Sequence, residues 1–280
     1  MFALEIVWDP SKGLDLGFFM LHYYSVMWIV AFLLGLNIMK RIYKHEGQSE
    51  KSLDSLFIYS VVGIMLGARL GHVIFYQPEL FTEDFFSIFL PVKFKGGFEF
   101  TGFQGLASHG AAIAMIISMY LYNKKVLHKT VLWILDRVVI PVASGAVFVR
   151  LGNFINSEII GKPTGSDFGV VFKQLGETFP RHPAQLYEAF SYVFVFLALM
   201  YFYWKTKKSE QEGFLFGLFL VLLWTVRFFV EFMKEPQGDE YFILMGFNTG
   251  QLLSIPFILI GLYFMFVYKS KRSDVEKTRS

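Results

Sequence analysis

The chain has 280 residues, 54% of them hydrophobic and 18% charged, with 34 Phe and a formal net charge of +3. Soluble domains carry about 25% charged residues, so this composition excludes an ordinary soluble domain and points to a polytopic membrane protein. The absence of Cys excludes disulfides and any thiol nucleophile supplied by the chain itself.

The opening stretch, "MFALEIVWDPSKGLDL", has neither a basic segment nor a small-residue cleavage site, so no removable signal peptide is expected. A membrane-spanning helix needs about 20 apolar residues. Seven segments approach or meet that length: 17–39, 55–77, 102–122, 131–150, 186–204, 213–233 and 250–268. The Gly and Pro within them are better tolerated in membrane helices than in soluble ones.

The connecting loops alternate in charge. Lys40, Arg41, Lys44 and Lys51 follow the first span, Lys124, Lys125 and Lys129 the third, and Lys205, Lys207 and Lys208 the fifth. Lys269, Lys271, Arg272, Lys277 and Arg279 follow the last. The opposite side has only Lys12, Lys93, Lys95, Lys162, Lys173, Arg181 and Lys234. The positive-inside rule therefore predicts an outside (periplasmic) N-terminus and a cytoplasmic C-terminus. An odd number of spans agrees with that. The long loop 151–185 is rich in Gly and Pro and is expected to form a small irregular head on the outer side, with "FGVVF" as a short strand. The expected fold is thus an all-α integral membrane protein with seven transmembrane helices, one polytopic domain over 1–280. No internal repeat is visible, which argues against an inverted-repeat transporter.

Ionisable residues within spans are expensive, at least ~2.5–3.5 kcal/mol each on insertion scales, and mark functional sites by default. "GARLGH" places Arg69 and His72 one turn apart. "FQGLASHGA" opens the third span with Gln104, Ser108 and His109. "DRVVIPV" carries Asp136 and Arg137. "VRLGNFINSEIIG" closes the fourth span with Arg150, Asn153, Asn156, Glu158 and Gly161. "VRFFVE" puts Arg227 and Glu231 at i,i+4, on one helical face. Each has a purely structural alternative. Arg227 with Glu231 and Asp136 with Arg137 would be ion pairs. Arg69 would bond backbone carbonyls or snorkel. His109 would be a satisfied interior residue, and the glycines would allow close helix packing. Taken together, however, His109, Arg150, Asn153, Asn156, Glu158, Glu188, Arg227 and Glu231 all fall toward the outer end of the expected topology. Isolated structural pairs have no reason to collect there, whereas a shared polar cavity does. Its cations would suit an anionic lipid headgroup, because Arg engages phosphate in a bidentate fashion.

"RLGNFINSEIIGKPT" resembles the Arg-x-Gly-Asn-Phe-Ile-Asn-x-Glu-x-x-Gly stretch of bacterial prolipoprotein diacylglyceryl transferases. "HYYSVM", "SHGA", "RHPAQLYE", "RFFVEFMKEP" and "GQLLSIP" match the same family in the same order, so the resemblance covers nearly the whole chain. It implies transfer of a diacylglyceryl group from phosphatidylglycerol to the lipobox Cys of a prolipoprotein signal peptide. This is the first step of bacterial lipoprotein maturation, at the outer leaflet of the cytoplasmic (inner) membrane. It implies no cofactor, no metal and no nucleic-acid partner. The family's important residues fall here on Tyr24, His109, Arg150, Asn153, Glu158, Gly161, Arg227 and Glu231.

The chemistry that such a reaction demands fits these residue types. A free thiol is mostly protonated at neutral pH, and an anionic phosphodiester repels a thiolate and leaves poorly. Arg150 and Arg227 are expected to bind the phosphate, with Glu231 orienting Arg227 and Glu158 holding Arg150. His109 is the expected base. Tyr24, Arg69, Asn153, Asn156, Glu158 and Gly161 are expected to line the substrate site. The rival function is a lipid transporter or flippase for anionic phospholipid. It should place polar residues at mid-membrane on both sides of a gate rather than at one end.

Overall fold

A computed structural model describes residues 4–17, 20–90, 92–94, 99–100, 105, 107–236 and 246–269. Among these residues six helices are long and apolar enough to cross a membrane. They are α1 (Tyr23–His45), α2 (Glu50–Tyr76), α5 (Val131–Ile155), α6 (Ala184–Lys205), α7 (Phe214–Val230) and α8 (Thr249–Leu262). A 3-10 turn extends α7 to Met233, and a π turn extends α8 to Val267. Their outward faces stay uncovered and apolar, as with Phe266 at 73% exposure, because lipid is the solvent there. The chain is a helical, multi-pass membrane protein with no closed sheet among the described residues.

The expected span 102–122 takes a shorter form. Its helix, α4, runs Ser108–Tyr122, 15 residues, or about 22 Å at 1.5 Å per residue. Gly105 has φ +75° and Ala107 is extended, so the helix starts only at Ser108. Residues 101–104 and 106 lie outside the described residues. At the other end a π turn, Asn123–Leu127, continues α4 until His128 closes it in the left-handed conformation. Between α2 and α4 come a single turn, α3 (Leu80–Glu83), a 3-10 turn at Phe85–Ile88 and the small pair β4 (Val92–Lys93) and β5 (Glu99–Phe100).

The chain divides into two compact units, residues 40–134 and residues 1–39 with 135–280. In the first, small residues spaced four apart form the seam: Gly63, Gly67 and Gly71 on α2 against Gly110, Ala114 and Ser118 on α4. A Cβ on Gly71 would lie 2.6 Å from the Gly110 Cα, so the two backbones touch, as small-residue membrane interfaces require.

In the second unit, α1 packs on α5 through Gly35 beside Pro141, Gly145 beside Ala31 and Gly152 beside Tyr24. Gly217 of α7 and Gly261 of α8 face each other, and a Cβ on either would sit 2.6 Å from the other's carbonyl oxygen. Asp136 is fully buried and caps α7, accepting from Gly213 N (2.7 Å) and Phe216 N (2.8 Å). Arg137 donates to the Ser209 carbonyl at 3.2 Å. Both residues thus act as helix-end ties.

Two pieces of extended chain complete this unit. The hairpin β2 (Gly13–Asp15) with β3 (Met20–His22) leads into α1. β1 (Leu4–Trp8) pairs in parallel with β6 (Phe168–Phe172), from Leu4 opposite Phe168 to Trp8 opposite Phe172. Trp8 packs on Phe154 in a tilted arrangement at 4.4 Å and donates to its carbonyl at 3.0 Å, fixing the strand pair to the end of α5. Arg181 holds the loop together. It forms a two-pronged bond to Glu177 (2.6 and 2.7 Å) and donates to Glu235 (2.8 Å) and the Gly161 carbonyl (3.0 Å). The Glu177 hydrogen bonds raise the Arg181 pKa above its ordinary value, against the lowering effect of burial.

Candidate active site

Within the second unit, α5, α6 and the end of α7 bring four charges together in alternating sign. Arg150, near the end of α5, lies with Nε 2.8 Å from Glu188 Oε2. Glu188, on α6, is fully buried, and its Oε1 is 4.0 Å from Lys234 Nζ. Lys234, in turn, is 3.1 Å from Glu231 Oε2. All four are buried or half-buried. Buried ion pairs rarely add net stability, because desolvation offsets their attraction. A run of four is therefore not accounted for by folding stability alone.

The local backbone explains these partners. α7 ends at Val230 and Glu231–Met233 forms a 3-10 turn. Residues at i,i+3 eclipse in that geometry, so Glu231 meets Lys234 rather than Arg227. The Glu231 carboxyl also packs against the first turn of α8, where a Cβ on Gly250 would lie 2.6 Å from its Cδ. A helix N-terminus favours negative charge. That turn is fixed by a capping box between Asn248 and Gln251.

Arg227 is held differently. Its guanidinium lies 5.3 Å from the Trp224 ring centroid, and Trp224 stacks on Phe257 at 4.3 Å and 8°. Its Nε is buried and has no hydrogen-bond partner among the described residues. An aromatic face holds a guanidinium by its plane and does not use up its N–H donors.

Arg150 Nη1 donates to Asn153 Oδ1 (3.3 Å), and Asn153 Nδ2 donates to Glu158 Oε1 (2.6 Å). Among the described residues Glu158 therefore reaches Arg150 through Asn153, and the carboxylate paired directly with Arg150 is Glu188. Ser157 and Ile159, either side of Glu158, have φ of +53° and +58°. That is an unusual conformation for a β-branched residue, of the kind that gathers at functional sites. Gln185 Nε2 donates to the Glu158 carbonyl at 2.6 Å and holds this turn. Asn156 is half-buried, and its side chain has no hydrogen-bond partner among the described residues. Tyr24 lies against Gly152, where a Cβ would sit 2.6 Å from its ring.

Gly161 is buried between backbones. It donates to the His182 carbonyl (3.1 Å) and forms a bridge with Lys234. A Cβ there would be 2.7 Å from His182 Cβ and 2.8 Å from the Met233 carbonyl. Its neighbours are the backbones at His182 and Met233, and what it permits is the bridge that brings in Lys234.

Two expected residues belong to the other unit. Arg69 donates to the carbonyls of Ser87 (2.8 Å), Ile88 (3.1 Å) and Gly105 (3.4 Å), the carbonyl-tying arrangement that its structural alternative describes. His109, the second residue of α4, is exposed and meets Phe75 edge-on at 5.2 Å and Tyr76 at 6.2 Å.

Lys234, Gln185 and Tyr192 carry no functional signal in the sequence itself. Lys234 reads as an outer-loop charge until the 3-10 turn and the Gly161 bridge fold it inward. Gln185 and Glu188 were visible in "RHPAQLYE" as a polar start to an apolar helix.

The family model for prolipoprotein diacylglyceryl transferase matches residues 12–267. The chain belongs to the prolipoprotein diacylglyceryl transferase family. It is 42% identical over 273 residues to the phosphatidylglycerol–prolipoprotein diacylglyceryl transferase of Bacteroides fragilis, covering 96% of this chain and 98% of that protein. The enzyme of the same name from Tolumonas auensis is 40% identical over 269 residues (96% and 99%), and that from Chloroherpeton thalassium 37% over 274 (98% and 97%). In this family member two arginines are held in different ways, Arg150 by carboxylate and amide and Arg227 by an aromatic face.

Proposed function

We propose that the protein transfers the diacylglyceryl group of phosphatidylglycerol to the lipobox cysteine of prolipoproteins. The substrate sulfur attacks the glycerol carbon that bears the phosphate ester. The S–C bond forms, the C–O bond breaks, the thiol proton goes to a base, and glycerol phosphate leaves. In the proposed topology seven helices cross the inner membrane as one polytopic domain, with the N-terminus periplasmic and the C-terminus cytoplasmic. Residues 151–185 form the periplasmic head, and the site faces the outer leaflet.

Arg150 and Arg227 bind the phosphate and stabilise the charge that grows on the leaving group. His109 takes the thiol proton. Asn153 and Asn156 face the headgroup hydroxyls, Glu158 fixes Asn153, and Tyr24 borders the site beside Gly152. Glu231 acts with Lys234, and Gly161 acts through the register it allows. Arg69 contributes by shaping its own unit, since carbonyls engage its donors.

The observation that carries this reading is the Arg227 guanidinium, set over Trp224 with a buried Nε that has no partner among the described residues, in a chain of this family. The test uses purified protein, phosphatidylglycerol and a Cys-containing precursor peptide. A gain of one diacylglyceryl mass on the peptide, lost when its Cys is replaced by Ser, is the expected result. An unmodified peptide with lipid moved between leaflets would instead support a flippase.

A further inference from the structure

Glu188 has no role in the reaction as described so far, yet it is the most enclosed charge in the site. It is fully buried, and neither of its oxygens makes a hydrogen bond of good geometry among the described residues. Its company is cationic: Arg150 Nε at 2.8 Å and Lys234 Nζ at 4.0 Å. One helical turn further along α6, Tyr192 is 3% exposed and lies within electrostatic reach of Arg150. Residues at i,i+4 share a helix face, so α6 turns a carboxylate and a phenol together toward one guanidinium.

We propose that Glu188 is the positioning residue for Arg150, with Tyr192 as its partner on the same face. The proposal rests on the transferase reading above. Three points carry it. First, an Arg side chain has five N–H donors in a rigid plane. Glu188 faces Nε and Asn153 accepts from Nη1, so the plane is fixed from two sides while the other donors remain for a phosphate. Second, the same carboxylate lies against Lys234, which pairs with Glu231. Glu188 thereby joins the ion pair of α5 to that following α7, and a shift in one is felt by the other. Third, a carboxylate held by charge rather than by hydrogen bonds is sensitive to loss of charge at constant shape. Glu188→Gln keeps the volume and removes the attraction.

The experiment measures kcat and KM for phosphatidylglycerol, together with Tm in detergent, for wild type, Glu188→Gln, Glu188→Asp and Tyr192→Phe. Misplacing a reacting group by about 1 Å lowers rate about a hundredfold. The expected result is a fall of that order in kcat for Glu188→Gln, with KM changed far less and a near-native Tm. Glu188→Asp keeps the charge and should recover part of the loss. Tyr192→Phe should lose less than Glu188→Gln.

Wild-type kcat in a folded Glu188→Gln protein would overturn the proposal. So would a loss that follows Tm equally across the Gln and Asp variants, since that is the behaviour of a merely structural residue. If wild type itself forms no product, the transferase reading fails. If wild type and Glu188→Gln form it equally, only the positioning role fails.

Discussion

Gly250→Ala tests the site through a single methyl group. The new Cβ would lie 2.6 Å from Glu231 Cδ and 2.7 Å from Oε1, where ordinary contact begins at 3.4 Å. The carboxyl must therefore retreat by about 0.8 Å, because close-packed interiors have no slack to absorb the overlap. Its only described ion-pair partner, Lys234, is 3.1 Å away on the other oxygen. A retreat of that size disrupts the pair and, through Glu188, the setting of Arg150. Overpacking of this kind costs about 1–3 kcal/mol in stability. A displacement near 1 Å at a reacting centre lowers rate about a hundredfold. The assay is the initial rate of diacylglyceryl transfer to a precursor peptide, with Tm measured on the same preparation. Gly145→Ala serves as the control, because its Cβ would meet Ala31 Cβ at an ordinary 3.6 Å. It should leave both readings near wild type. A Gly250→Ala protein with wild-type kcat would show that the Glu231 position does not govern the reaction, and the argument from the ion-pair run would fall.

Arg227→Lys should lower kcat by at least about a hundredfold, since an ammonium cannot reproduce the planar fork. Unchanged kcat would sink the phosphate role. His109→Gln should remove most turnover across roughly pH 6–9, and near-normal rates there would rule out His109 as the base. Arg181→Met should destabilise the protein by about 3 kcal/mol, because it leaves Glu177 and Glu235 without their shared cation. A Tm unchanged from wild type would refute that. Glu177 raises the Arg181 pKa, so the stability it brings is fully present below the already very high unfolded value and is lost only as pH rises through the still higher folded one. The Arg181 contribution should therefore stay flat over roughly pH 6–9.

How much of this was legible in the residues depends on the kind of signal. Six spans were visible because lipid enforces long apolar runs whatever the tertiary context. The start of α4 was not, since "GFQGLASHG" is apolar enough to read as helix. The left-handed Gly105 and extended Ala107 delay it to Ser108. Arg150, Asn153, Glu158, Arg227 and Glu231 were legible as a polar set at one end of the spans. Their pairing was not. The i,i+4 spacing of Arg227 and Glu231 suggested an ion pair, but the switch from α to 3-10 geometry after Val230 hands Glu231 to Lys234. The departure from α5 after Ile155 likewise takes Glu158 to Asn153 and leaves Arg150 to Glu188. Partners near helix ends depend on one or two residues of backbone geometry, which periodicity does not encode. Gly161 was legible as a special position, but not as a close fit between the backbones at His182 and Met233.

The most direct measurement follows both products of a single reaction mixture. Purified protein is supplied with phosphatidylglycerol and a precursor peptide, and the thioether-modified peptide and free glycerol phosphate are quantified together over time. The account predicts that the two rise in equal amounts and that both fall in parallel in Arg150→Gln and Arg227→Lys. Modified peptide without glycerol phosphate, or equal rates in those variants, would contradict it.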